Sequence, residues 1–283
     1  MCNMSSRGDF MNILYCGDIN SQQGLLISIL ALRRQTTRPL HIYVLTATMP
    51  GLTTPTAAIP VTTMAYLNQL VKQTCDRSWV NRLDITALVA KNTPTANLAT
   101  IFTPACMLRL YADQVPSLPD KLLYLDTDVL ARRPIDGFYD QSIENYEIAG
   151  VLDHYGQWLF HQHWPHPDYL NSGVLLLNMS RLRETHLLAR CRQLCQQQKM
   201  FMPDQSALNR LATAKLIVPR KYNEQRRLHR NTVFQHFTTS FRMLPWLHTL
   251  TVKPWQVEAM HTKLKCHAYD QLLTEYQQLV INL

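Results

Sequence analysis

The stretch Lys121–Asp128, KLLYLDTD, decides the fold. Leu122, Leu123, Tyr124 and Leu125 are apolar at consecutive positions, so an extended chain here buries both of its faces. A central strand of a helix-covered parallel sheet reads this way. Two carboxylates, Asp126 and Asp128, follow where the strand must end. In an open α/β sheet, ligands bind outside the carboxyl ends of the strands. Asp126 and Asp128 can turn inward there on one hard cation, Mn²⁺ or Mg²⁺, which takes carboxylate and substrate phosphate oxygens together. The alternative for the same residues is a capped turn, with Asp accepting backbone bonds.

Outward from this point the chain alternates strands and helices. MNILYC (Met11–Cys16) reads as a first buried strand and HIYVLT (His41–Thr46) as a second. Between them, Leu25, Ile29 and Leu32 share one face of a helix expected over 22–35. This β-α-β opening predicts a parallel sheet with right-handed crossovers. Residues 48–63 read as loop, and helices are expected over 65–75 and 100–114. Two further strands are expected over 146–153 and 169–178, then a helix over 181–198 and a shorter one from Asp204. The expected organisation is a leader at 1–10, a nucleotide-binding α/β domain at 11–237 and a basic C-terminal extension at 238–283.

Composition fits a folded globular chain of 283 residues, with 46% hydrophobic and 17% charged residues. The longest apolar stretch, around Gly24 to Leu32, is far short of the roughly 20 residues that span a bilayer. No signal peptide is read at the start. Seven cysteines without a paired framework or a Cys-x-x-Cys motif suit a reducing cytoplasm. The net charge is +8, and residues 215–283 hold ten Lys/Arg against four Asp/Glu, or +6 of it. Such a surface attracts an anion: a diphosphate, an anionic membrane face or nucleic acid. No recognisable nucleic-acid module is present, so nucleic acid is not an expected partner.

Other residues carry weaker signals. Asp18 and Asn20 follow the first strand at the same sheet edge, where a carboxylate and an amide suit a uracil edge and a ribose. Their bland alternative is an Asx-turn or a helix N-cap. His236, in the apolar run VFQHF, is a candidate third metal ligand or a structural histidine. Lys253, in Lys253-Pro254-Trp255, can pair with a phosphate or simply lie at the surface.

Eight motifs in one order then resemble glycosyltransferase family 8: GDIN, MLRLY, KLLYLDTDVL, AGVLD, YLNSGVLLLN, PDQSALN, HF and KPW, running from about Met11 to Trp255. This family includes bacterial lipopolysaccharide galactosyl- and glucosyltransferases and the glycogenins. The resemblance implies a GT-A fold, a Rossmann-like nucleotide-sugar-binding sheet flanked by helices. It also implies UDP-sugar donors, Mn²⁺ and retention of anomeric configuration. By motif, Asp126, Asp128 and His236 look like metal ligands. Asp18 and Asn20 resemble uridine-binding positions, Arg109 a donor-contacting arginine, and Thr127 goes with the donor-binding group. Asp153, Asn171 and Asp204 resemble residues that hold the donor sugar. Gln205 matches the residue on the reacting face of the anomeric carbon, and Lys253 a diphosphate-binding lysine.

Two departures stand out. Ser21 occupies the place where many members stack an aromatic residue on uracil. Thr238 to Val252 separate His236 from Lys-Pro-Trp, and Phe241, Leu244, Trp246 and Leu247 predict an inserted loop or helix with an apolar face. The resulting expectation is a cytoplasmic enzyme that transfers a hexose from a UDP-sugar to a glycan or glycolipid acceptor in bacterial cell-envelope polysaccharide synthesis. Its basic tail is expected to touch the inner face of the plasma membrane. The rival reading is a catalytically weak nucleotide-sugar- or carbohydrate-binding protein of the same fold.

Overall fold

In the computed structural model, residues 10–49, 56–97, 104–154, 168–242 and 248–283 are described. The opening β-α-β unit is β1 (Met11–Gly17), α1 (Gln22–Arg33) and β2 (Leu40–Thr46), with β1 and β2 parallel. Next come α2 (Val61–Thr74), β3 (Trp79–Asp84) and a 3₁₀ run over Pro104–Gln114. The KLLYLD strand is β4 (Lys121–Leu125), followed by the short β5 (Val129–Ala131) and by β6 (Ile148–Leu152). After β7 (Leu170–Asn178) lie helices Met179–Glu184, Leu187–Gln197 and Pro203–Leu211, then β8 (Lys215–Ile217) and β9 (Phe234–His236). The chain ends with β10 (Ser240–Arg242), β11 (His248–Leu250) and helices Val257–Thr262 and Asp270–Leu279.

Seven strands form one sheet in the order β3-β2-β1-β4-β7-β6-β8, and β7 alone runs antiparallel to its neighbours. Period-2 alternation sends side chains to opposite faces. Leu123 and Leu125 of β4 join the same core as Ile13, Tyr15 and helix α1, whereas Leu122 and Tyr124 join Leu14, the 3₁₀ run and helix Leu187–Gln197. Both faces of β4 are therefore covered, as its unbroken apolar run predicts. Full burial of residues such as Leu25, Leu26 and Ile29 contributes about 1.5–3 kcal/mol each to holding α1 on the sheet.

This topology builds one edge. β1, β4 and β6 end at Gly17, Leu125 and Leu152, so Asp18, Asp126 and Asp153 emerge together. Because β7 runs the other way, its start is at that edge, and it delivers Asn171 there. Helix α1 is seated against the turn after β4. Ser28 Oγ donates to Val129 O at 2.7 Å, and a side chain at Gly24 would meet Thr127 O at 2.8 Å.

Several elements differ from the sequence reading. The helix expected over 181–198 is broken, with His186 in the left-handed region at φ 53°. β3 was not expected: Asn81, Arg82 and Asp84 break its apolar pattern because it is the sheet's half-exposed edge. The ends of the 238–252 insertion are not helical, since Ser240–Arg242 and His248–Leu250 pair antiparallel. Leu244, Trp246 and Leu247 lie outside the described residues, as does the leader except Phe10. The last helix packs back on α1, where Glu275 pairs with Arg33 and Arg34 and Tyr276 Oη donates to Gln23 Oε1 at 3.1 Å. Among the described residues, no helix is long and apolar enough to cross a membrane.

Candidate active site

The turn after β4 sets two carboxylates beside one imidazole. β5 and β9 pair antiparallel with Val129 opposite His236, which carries the ring onto the Asp126–Asp128 turn. His236 Nε2 lies 3.2 Å from Asp128 Oδ1 and 3.6 Å from Asp126 Oδ2. The three ligand atoms lie within 4.8 Å of one another. Gly173 makes room for this, since any side chain there would overlap the His236 ring. Asn171 Oδ1 accepts from Gly173 N at 3.0 Å and faces His236 Nδ1 at 3.1 Å. With Nδ1–H donating to Asn171, the Nε2 lone pair is left facing the carboxylates, as metal-ligating histidines are oriented by their other nitrogen. Two carboxylates and one imidazole fit an oxygen-preferring divalent ion such as Mn²⁺ or Mg²⁺. Burial works to raise the Asp128 pKa, but the Lys253 ammonium beside it overcomes this and holds the carboxyl well below its usual range.

Arg109 organises the neighbouring wall. It is 3% exposed, sits over the Tyr124 ring at 4.1 Å and donates to Ser172 O and, at 2.9 Å, to Cys106 O. Its guanidinium bridges Asp126 at 2.7 Å and Asp204 at 3.2 Å. Tyr124 Oη donates to the same Asp126 oxygen at 2.6 Å. Burial raises the Asp204 pKa despite the opposing pull of Arg109.

Asp153, Asn171 and Gln205 form the third group. Asp153 Oδ2 accepts from Asn171 Nδ2 at 2.8 Å and from Gln205 Nε2 at 3.0 Å. Gln205 Oε1 in turn accepts from Ser172 N at 3.0 Å, so both ends of the amide are engaged. The helix that carries Asp204 and Gln205 begins with Pro203 in its first turn, where a fixed φ and a missing N–H do no harm. Its Asn209 Oδ1 and Nδ2 bond the backbone of Leu170 at 2.7 Å each, which ties this helix to the start of β7.

Asp18, Asn20, Arg109, Asp126, Thr127, Asp128, Asp153, Asn171, Asp204, Gln205, His236 and Lys253 all line one cleft of about 670 Å³. Every site residue expected from the sequence is thus at a single place. At the β1 end of the cleft, Asp18 Oδ1 accepts from Asn20 N at 3.0 Å and from Ser21 Oγ at 3.3 Å, so the turn is also a capping device. Tyr124, Ser172, Asn223 and Gln225 were missed. Asn223 Nδ2 donates to Asn171 Oδ1 at 2.9 Å, and Gln225 bonds Leu152 O and His154 N across the cleft floor. Only the polar run Asn223-Glu224-Gln225 beside buried Tyr222 could have signalled them.

The family model described as glycosyl transferase family 8 matches residues 12–259. Glucoside xylosyltransferase 1 of Homo sapiens is 31% identical over 106 residues, 33% of this chain and 24% of that protein. Glycosyltransferase GlyA of Streptococcus pneumoniae serotype 4 is 30% identical over 94 residues, 32% of this chain and 13% of that protein. The chain therefore spans about a quarter or less of these curated relatives. Among solved structures, an active-site mutant of LgtC aligns with TM-score 0.67 at 16% identity, covering 95% of each chain. The galactosyltransferase LgtC in complex with donor and acceptor sugar analogues gives 0.62 at 17% identity, covering 94% of this chain and 95% of that one. At such identities the likeness carries the fold alone, and that fold is GT-A.

Proposed function

The chain belongs to glycosyl transferase family 8, and we propose that it is a retaining, metal-dependent glycosyltransferase that moves a hexose from a UDP-sugar to a glycan or glycolipid acceptor. The observation that carries this is the Asp126–Asp128–His236 trio sharing a cleft with the Arg109–Asp204 and Asp153–Asn171–Gln205 groups. Bound to Asp126, Asp128 and His236, Mn²⁺ or Mg²⁺ would supply Lewis-acid neutralisation of the leaving diphosphate.

The side chains do the rest. Lys253, paired with Asp128 in the cleft, adds a second positive charge at the diphosphate. Asp18 and Asn20 stand at the edge for the uridine, and Thr127 lies between the metal carboxylates. Arg109, Asp153, Asn171 and Asp204 orient the sugar, the entropic part of catalysis. Gln205 supports an oxocarbenium-like transition state as a fixed dipole. Its only nucleophilic atom, Oε1, already accepts the Ser172 N–H. This favours attack by the acceptor on the same face as the departing phosphate, which takes the acceptor's proton.

The cytoplasmic placement and the contact of the basic 215–283 segment with anionic lipid are part of the same proposal. Liposome sedimentation that needs anionic lipid and weakens with salt supports that contact, and equal binding to neutral vesicles refutes it. The activity is tested by UDP release from UDP-galactose, UDP-glucose and UDP-xylose, with Mn²⁺ and with chelator. Release from one donor only with metal supports transfer. Binding of UDP with no turnover of any donor turns the protein into a binding module.

A further inference from the structure

The C-terminal pair of helices carries a second convergence of ligating groups, remote in sequence from the cleft. Helix Val257–Thr262 presents His261 in its last turn, and helix Asp270–Leu279 begins with Asp270. The connection between them turns back through Lys265, which adopts φ 52°, a conformation rare outside glycine. Cys266 N then donates to Met260 O at 3.0 Å, which fixes the turn. The result places His267 face to face with His261, with ring centroids 4.8 Å apart and planes 14° from parallel.

Both rings are aimed at one carboxylate. His261 Nε2 lies 2.9 Å from Asp270 Oδ1, and His267 Nδ1 lies 3.3 Å from Asp270 Oδ2. One ligand atom from each of the three lies within 4.8 Å of the other two. Around an ion with bonds of about 2.0–2.1 Å, neighbouring ligand atoms stand roughly 3–3.5 Å apart. The two histidine–carboxylate separations, to the two different oxygens of Asp270, are hydrogen-bonding distances close to such edges. His267 is 65% exposed and Asp270 50% exposed at the side chain, so water can reach the remaining coordination positions.

We propose that His261, His267 and Asp270 form a second metal site, for a Zn²⁺-class ion, that clips helix Val257–Thr262 to helix Asp270–Leu279. Two imidazoles and one carboxylate favour Zn²⁺, Co²⁺ or Ni²⁺ over Mg²⁺ and Ca²⁺, so the site differs in selectivity from the carboxylate-rich trio at the cleft. The clip has a place in the architecture. The first helix directly follows Lys253 and Trp255, which line the cleft, and the second is tied to Arg33 and Arg34 of α1 through Glu275. An ion there holds the Lys253 segment against the body of the fold.

The test uses the full chain without a histidine tag, carrying Asp126→Asn and Asp128→Asn so that the cleft trio is disabled. Equilibrium dialysis against Zn²⁺ should find one bound equivalent. Zinc at a hundredfold over Kd should raise Tm by about 5 °C. Adding His261→Ala with His267→Ala, or separately Asp270→Asn, should weaken binding by more than roughly 100-fold, beyond what loss of an outer-shell partner does. Circular dichroism checks that each variant is folded, and Asp270→Asn keeps side-chain shape if the double alanine does not fold. Co²⁺ should give visible d–d bands that vanish in the same variants. No bound zinc in the cleft-disabled chain, or unchanged stoichiometry and Tm shift after removal of the histidines and of the Asp270 carboxylate, overturns the site.

Discussion

Replacing Arg109 by alanine isolates one buried electrostatic feature of the cleft. Its guanidinium bridges Asp126 and Asp204 and is 3% exposed, and Asp204 is 4% exposed. Removing one partner of such a pair leaves a buried charge uncompensated, which costs about 3–5 kcal/mol. Against a typical stability of roughly 5–15 kcal/mol, Arg109→Ala should remain folded but with a clearly lower urea midpoint. The deficit should also depend on pH. Burial raises the Asp204 pKa in the folded state, and Arg109 opposes that rise. Without Arg109 the folded pKa climbs further above its unfolded value. The folded state then holds a proton that the unfolded chain releases, so stability falls as pH rises above the ordinary aspartate range. Urea unfolding at pH 5 and pH 8, in metal-free buffer, should show the larger deficit at pH 8. An Arg109→Ala protein as stable as the wild type, or one whose deficit is greatest at pH 5, would refute this reasoning.

Other substitutions probe the cleft itself. Gln205→Ala should leave weak but measurable transfer with the donor's anomeric configuration kept, because the amide orients rather than attacks; a dead variant, or an inverted product from the wild type, counts against it. Gly173→Ala forces the His236 ring off the Asp126–Asp128 turn, so Mn²⁺ affinity by calorimetry should fall while circular dichroism stays native; unchanged affinity would show that the ring is not a ligand. Lys253→Ala should raise KM for the UDP-sugar more than it changes binding of the free acceptor, and equal effects on both would remove Lys253 from the diphosphate.

The legible parts of this chain were those where local chemistry and topology agree. KLLYLDTD announced both a central strand and its carboxylates, because burial on two faces forces an unbroken apolar run. YLNSGVLLLN announced β7 equally well, although nothing in it shows that β7 runs antiparallel, the fact that delivers Asn171 to the edge. β3 stayed hidden because an edge strand needs only half an apolar pattern. The break at His186 was hidden because no Gly or Pro marks it, only a left-handed backbone at an ordinary residue. Tyr124 was read as core, which it is, yet its hydroxyl holds Asp126. Asn223 and Gln225 reach the site through a loop whose path depends on the β5–β9 ribbon, a long-range pairing with no local signature.

Metal-dependent transfer is tested most directly by Asp126→Asn and Asp128→Asn, each assayed for Mn²⁺-dependent UDP release and sugar transfer on the donor that the wild type uses. Each substitution replaces an anionic ligand by a neutral one of the same shape, so both proteins should stay folded. Turnover should fall by more than roughly 100-fold, the scale of losing one major electrostatic stabiliser of the transition state. Near-normal turnover in either variant, or in the wild type with metal chelated, would contradict the metal site and the reaction built on it.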